Sequence, residues 1–409
     1  MKKAFRISGT GCALVDYLYK PVSFTSELFK NYLSENPGDG GLFPGKLVFR
    51  DEFEKFSGED YLKVRDRITN GNPPVTLNIG GPSIVSLIHT AQMLAGMNAE
   101  VYFYGSKGMD KGAAFIDENL QKTPLKIGKY KISDKYTSFT DVLSDPDYDQ
   151  GHGERIFINN IGAAWDLYPD DLDEDFFESD IVVFGGTALV PHIHQSLSEL
   201  LKKSKDNNAI TIVNTVYDFL NEKKNPNKPW PLGSSMKTYQ YIDLLITDRE
   251  EALRLSGKEA VDDALLFFQQ AGVGGVIITH GANPLSYAYN SQLFGNSEGD
   301  RPVSDKVRNM IIQYPEKVGD TTGCGDNFAG GVIANIAKQL LEHPSLQIDM
   351  DKAIAMGVVS GGYACFYHGG TFFEKKPGEK KQLIEPFFNE YLLQLQNKCL
   401  YGLKLPDEK

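Results

Sequence analysis

Short apolar runs alternate along this chain with stretches whose apolar residues recur three and four positions apart, the pattern of strands followed by helices. KAFRIS at 3–8 predicts a short strand entering a glycine turn. SIVSLIHTAQMLAG at 83–96 predicts a helix closed by glycine, and AEVYFYG at 99–105 the next strand. KYTSFTDVLS (135–144) and ERIFINN (154–160) are β-rich on either side of a loop holding Pro146 and predict a hairpin-like pair. Beyond Asp180 the alternation becomes regular, with strands at 180–186, 209–215, 243–248, 274–281 and 286–290 and helices at 194–204, 249–257 and 326–341. NMIIQYPEKVGD (309–320) predicts a further strand and its loop, and DKAIAMGVVSGGYACFYHGG (351–370) the last clear helix. Together these predict an α/β fold, doubly wound, with a mainly parallel sheet and helices on both faces.

Two stretches break the rhythm. From Lys20 to Pro74 the pattern is irregular, loosest at NPGDGGLFPGK, and reads as insertion or lid material. With residues 128–162 it defines a small β-rich lid, its two segments spanning approximately 15–74 and 128–162, within one domain covering 1–409. The tail LKLPDEK is expected to fray.

Charge and cysteine usage narrow the partners. A formal net charge of −12 argues against a nucleic-acid or anionic-membrane surface, which needs a basic field, and leaves room for a small phosphate-bearing ligand held by local donors. Cys12, Cys324, Cys365 and Cys399 are scattered without a CxxC pair, so neither a disulfide framework nor a zinc site is expected. Arg6, Ser8 and Gly9 fall where a signal peptide needs apolar residues, and no run reaches the ~20 apolar residues of a membrane span. A cytoplasmic protein is the expectation.

The chemistry concentrates in GDTTGCGDNFAGGVIANIA at 319–337. Small residues lead to Asp326 where a helix is expected to start, and a helix start presents free backbone N–H groups and the positive end of the macrodipole. Glycines at 323 and 325 let backbone close on an anion without a Cβ in the way. An ordinary N-cap would need the aspartate alone; a carboxylate beside exposed amides suits phosphoryl transfer, which asks for an oriented hydroxyl, an anion cradle and charge neutralisation.

DTTGCGDNF closely resembles the D-T-x-G-A/C-G-D-x-F signature of the ribokinase-like (PfkB) carbohydrate kinases. The resemblance implies Asp326 as catalytic base and the amides of Gly323, Cys324 and Gly325 as the anion hole for the γ-phosphate. It extends over most of the chain. GTGCALVD is similar to the family's first strand and loop, so Asp16 would hold substrate hydroxyls, and NIGGPSIVS to its Gly-Gly stretch, so Gly80 and Gly81 would let backbone approach the substrate. GSKGMD (105–110) resembles the family's G-x-x-G-x-D segment. TDREEA sits where the family has N-x-x-E, with Thr247 in place of the Asn and Glu250 as the acid that organises magnesium through water. Thr279 and Gly281 of THG match the T-x-G beside the nucleotide phosphates. Asp320, Thr322 and Gly370 fall in the two loops that bind a monovalent cation in several members, K+ being the candidate. Val85 departs from the pattern, standing where the family usually has an Asn that contacts the sugar, and some sixty residues separate Asp16 from Gly80.

Competing signals are weaker. GGLFPGKL (40–47) nearly spells a Walker A loop but has Leu47 for the metal-binding hydroxyl, and GTGCAL (9–14) lacks the last glycine of a dinucleotide fingerprint. His192 and His194 of PHIH read as a helix-entry loop, and the acidic run 170–180 as a solvated face. The expected activity is an ATP- and Mg2+-dependent kinase acting on a hydroxyl of a sugar or related polyol. Alternatives are a nucleoside kinase of the same superfamily and a sugar- or nucleotide-binding relative without turnover. A homodimer through the lid is left open.

Overall fold

The computed structural model describes residues 4–401 apart from 37, 152, 320 and 345. Among the described residues two sheets carry the fold, one of nine strands and one of five. The large sheet is ordered Gly295–Arg301, Leu285–Ser291, Gly275–Thr279, Leu244–Asp248, Ile210–Asn214, Ile181–Gly185, Phe5–Gly11, Ala99–Lys107 and Lys126–Ile132. All its neighbours pair in parallel except at one edge, where Gly275–Thr279, Leu285–Ser291 and Gly295–Arg301 meander antiparallel.

Alternation of side chains along the buried strands explains the two layers of helices. Ile7, Val183, Ile212, Ile246 and Ile277 face one core with helices Pro82–Met93, Cys324–Glu342 and Met350–Ala364. Val182, Phe184, Val213, Leu245 and Val276 face the other, against Leu197–Asp206, Arg249–Ser256 and Val261–Gln270. No helix among the described residues is long and apolar enough to cross a membrane.

The small sheet runs Leu47–Phe49, Glu154–Asn160, Phe139–Asp145, Leu14–Tyr19 and Thr76–Gly80. The hairpin-like pair is there as antiparallel Phe139–Asp145 and Glu154–Asn160. The 20–74 stretch departs from the irregular reading. It carries helices Arg50–Ser57 and Tyr61–Ile68, which bury Phe53, Tyr61, Val64 and Ile68 with Tyr19, Leu143, Ile156 and Ile158 in a third, separate core. Glu54 ties the two helices by accepting from the Tyr61 N–H at 3.0 Å and pairing with Arg50 at 2.8 Å.

Three further elements differ from the sequence pattern. Residues 305–313 form the helix Asp305–Gln313, not a strand, because Ser304 caps it and Val307, Met310 and Ile311 recur at helical spacing. The helix at 351–370 is not the last one: Glu379–Tyr401 follows, with Pro386 inside it. The second lid segment, expected from 128, overlaps Lys126–Ile132, which belongs to the large sheet. The expected frayed tail lies outside the described residues.

Candidate active site

The helix Cys324–Glu342 starts from Gly323, which takes a left-handed φ of 74° and caps it without any side-chain hydrogen bond. A Cβ at 323 would come 2.4 Å from the Gly370 Cα, so only glycine lets this turn lie on the 367–371 loop. At Gly325 a Cβ would meet nothing within 4 Å, so the backbone there borders open space. The Cys324 N–H reaches back to the Thr321 carbonyl at 3.3 Å, and the Cys324 and Cys365 sulfurs stand 3.6 Å apart. An uncapped helix start beside open space is a ready anion site.

Asp326 follows in the first turn. The residue is partly exposed, yet the protein around its carboxyl is dense enough that burial pushes it up to about 7. Cys12, just past the central strand Phe5–Gly11, is raised by burial and then by the carboxylates of Asp326 and Asp16. Both acids therefore converge beside that strand's carboxyl end, where open α/β sheets bind ligands. Asp16 lies on Leu14–Tyr19, and a Cβ on Gly80 would fall 2.1 Å from its Oδ2. Gly81 has φ 104°, and a Cβ there would come 2.7 Å from the Cys12 carbonyl oxygen, so both glycines are needed for the lid strand to close on this loop. Across the small sheet Asn78, Asp16, Thr140, Asn159 and Phe49 stand opposite one another in register, giving one face a polar row.

The acidic pair on the next helix divides its labour. Glu250 is exposed in the first turn of Arg249–Ser256, whereas Glu251 is 8% exposed. Burial, then Asp248, and also Asp326 push the Glu251 carboxyl up to about 8, so Glu251 lies within electrostatic reach of Asp326. Asp248 and Glu251 form a reciprocal capping box, and the Thr215 hydroxyl donates to the Glu251 carboxylate. Thr247 is 3% exposed and its hydroxyl oxygen stands 2.8 Å from that of Thr215, so it is tied into this cluster. The D-x-x-E spacing that marks a capping box is legible at 248–251 in the sequence.

Of the other expected residues, Thr279 sits opposite Asp248 in the ladder with its hydroxyl 3.4 Å from the Thr247 carbonyl. Gly281 turns at φ 56° with open space around it. Asp320 lies outside the described residues. Thr322 immediately precedes the Gly323 turn, and the Gly370 carbonyl accepts from Asn327 Nδ2 at 2.9 Å. Val85, the departure from the family's Asn, is 1% exposed and packs against Gly370, where it offers no hydrogen bond. Asn78 went unread in the sequence; it donates to the His368 carbonyl at 2.9 Å and accepts from the Thr371 N–H at 3.3 Å, joining the lid to the 367–371 loop. His192 stacks on Tyr168, and His194 bonds Thr187 and the Pro231 carbonyl.

A mainly parallel α/β sheet bearing a second, smaller sheet over its carboxyl edge is the architecture of ribokinase-like sugar and adenosine kinases. An adenosine kinase from Schistosoma mansoni bound to 2-fluoroadenosine superposes with a TM-score of 0.66 at 17% identity, covering 90% of this chain and 97% of that one. A probable sugar kinase from Rhizobium etli gives 0.67 at 14% identity, covering 95% and 100%, and a ribokinase from Thermotoga maritima 0.60 at 18%, covering 94% and 99%. The pfkB family carbohydrate kinase model matches residues 72–377. The chain belongs to that family, whose members are phosphotransferases acting on sugars or nucleosides.

Proposed function

We propose that this protein is an ATP-dependent kinase that transfers the γ-phosphate to a hydroxyl of a sugar or related polyol. The observation that carries this reading is the meeting of Asp326 with the uncapped Gly323 turn, while Asp16, on the small sheet, lies near enough that both carboxylates raise Cys12. Asp326 accepts the proton of the acceptor hydroxyl as the oxygen attacks. The amides of Gly323 and Gly325, and that of Cys324 once it leaves the Thr321 carbonyl, hold the charge that develops on the phosphoryl oxygens, and Thr279 and Gly281 border the rest of the phosphate chain. Asp16 fixes the acceptor hydroxyls, with Gly80 and Gly81 allowing backbone to approach.

Among the described residues no group of three or more acidic, histidine or cysteine side chains is placed to cage a metal ion, so Mg2+ would be held through water and the phosphates, beside Glu251, whose carboxyl is raised by burial, then by Asp248 and also by Asp326. Glu251 would hold the ion through water, with Glu250 further out, and the ion supplies charge neutralisation for the phosphates. Glu251→Gln is therefore expected to lower turnover by at least ~10-fold and Glu250→Gln by less than ~2-fold, a comparison made at saturating ATP over a range of Mg2+. Equal effects would return the role to Glu250.

Of the polar row across the small sheet, Asn78 is tied to the 367–371 loop and Asn159 donates to the Thr140 hydroxyl, so Asp16 is the member that supports a hydroxyl-bearing acceptor. A nucleoside is the second reading, favoured by a cavity of about 380 Å³ at the far end of that row, lined by Phe49, Arg50, Tyr136, Asn159 and Trp165. Its aromatic rings suit a base. ADP release from a panel of sugars and nucleosides separates the two, and ligand binding with no ADP from any acceptor would identify a relative without turnover. A kcat/KM that rises with pH and levels off above about 7 is expected, since the base works ionised and burial raises Asp326. A flat profile from about pH 5.5 upward would remove Asp326 from the base role.

A further inference from the structure

Behind the anion-binding turn stands a buried lysine that the steps above do not use. Lys380, one residue into Glu379–Tyr401, is 1% exposed. Its Nζ donates to Asn327 Oδ1 at 2.7 Å and lies 5.3 and 5.7 Å from the ring centroids of Tyr367 and Phe372. The Tyr367 hydroxyl donates to the same Oδ1 at 3.0 Å. On its other side Asn327 Nδ2 donates to the carbonyls of Gly323 at 2.8 Å and Gly370 at 2.9 Å. Two donors on one end and two carbonyls on the other allow this amide one orientation. It therefore connects an ammonium to both strands of backbone that frame the turn.

A methyl-ended side chain would occupy this place at far lower desolvation cost. The groups facing Lys380 come from each packed element. Glu374 accepts from its backbone N–H at 2.8 Å, Tyr367 comes from the loop, His89 from Pro82–Met93, and Asn327 from the first turn of Cys324–Glu342. Burial pushes the Lys380 amine well down with Glu374 opposing, and burial together with Lys380 pushes the His89 imidazole down as well. Glu374 is the carboxylate whose charge favours the ammonium, and an anion on the turn would favour it further. Lys380 also lies just beyond the stretch the family model matches, 72–377.

We propose that Lys380 is a built-in cation for the phosphate-binding turn, a positioning residue that acts through Asn327 to hold Gly323–Gly325 in shape and supplies positive charge when an anion binds there. It does the work expected of a diffusible monovalent cation beside Thr322 and Gly370. This inference rests on the kinase reading and adds a requirement of its own.

The wild-type chain is assayed with ATP, Mg2+ and its best acceptor in potassium and then in tetramethylammonium salts, and the rates are expected to agree within ~2-fold. Lys380→Met is expected to lower kcat by at least ~10-fold with the acceptor KM within ~3-fold. It should also weaken the β,γ-methylene analogue of ATP by ~10-fold while leaving adenosine, which has no phosphate, within ~2-fold. Lys380→Ala should regain rate with added methylammonium. A merely structural lysine would shift thermal stability without separating the analogue from adenosine. A wild-type rate that collapses without potassium, or a Lys380→Met enzyme that keeps its rate and its analogue affinity, overturns the inference while leaving the kinase reading intact. A wild type that binds no analogue and phosphorylates nothing overturns both. If the variants do not fold, the cation exchange on the wild type still decides.

Discussion

Asp326→Asn is expected to lower kcat by about 10³-fold while nucleotide affinity stays within about threefold. Asparagine keeps the shape and can still accept a hydrogen bond, but it cannot carry away the acceptor's proton. The loss should therefore appear in the chemical step, measured by single-turnover phosphorylation. A fall of less than about tenfold would remove the general base from the mechanism. A stability measurement distinguishes this role from a structural one. Because burial lifts the folded carboxyl to about 7 from an ordinary 3.8, its ionisation opposes folding increasingly as pH rises between those values. The asparagine variant should accordingly be more stable than wild type above about pH 7, and the gain should vanish near pH 4.

The second large effect is expected at Gly323. Alanine there must hold φ near 74°, a left-handed conformation that costs about 1–2 kcal/mol. Its Cβ would also sit 2.4 Å from the Gly370 Cα, where backbone must move to make room. That movement pulls on both carbonyls bonded by Asn327, so Gly323→Ala is expected to lose about 10²-fold in kcat and several degrees of Tm. Gly325→Ala is the control. Its Cβ meets open space and alanine is the better helix former, so stability should hold or rise while the added methyl crowds the incoming phosphate and turnover falls. Turnover unchanged in Gly325→Ala would mean that the phosphate does not land over this turn.

The parallel sheet and the turn at 323–326 were legible because each is written locally: apolar strand runs for one, glycines around a small residue before an aspartate for the other. What escaped depends on partners distant in the chain. Glu250 and Glu251 are adjacent and alike in sequence; which of them turns inward is set by the Asp248 cap and by Thr215 on a neighbouring strand. Asn327 and Lys380 are 53 positions apart, and a lysine after KKPGE reads as one more surface charge until the helix buries it. The helices at 50–57 and 61–68 were hidden because their apolar faces serve a local core of their own, and Pro386 disguised the final helix. The strand expected near 310 came from reading three consecutive apolar residues without the Ser304 cap ahead of them.

The 367–371 loop has two owners. From one side Asn78 and the Ile79 carbonyl, both on a lid strand, fasten His368 and Thr371; from the other, Asn327 fastens Gly370. If the small sheet moves as a cover, it must tug on the turn proposed to seat the transferred phosphate, because both hold the same five residues. Under the proposed mechanism, arrival of the acceptor and readiness for transfer would then be geared together, and a molecule too small to draw the cover down would leave ATP unspent.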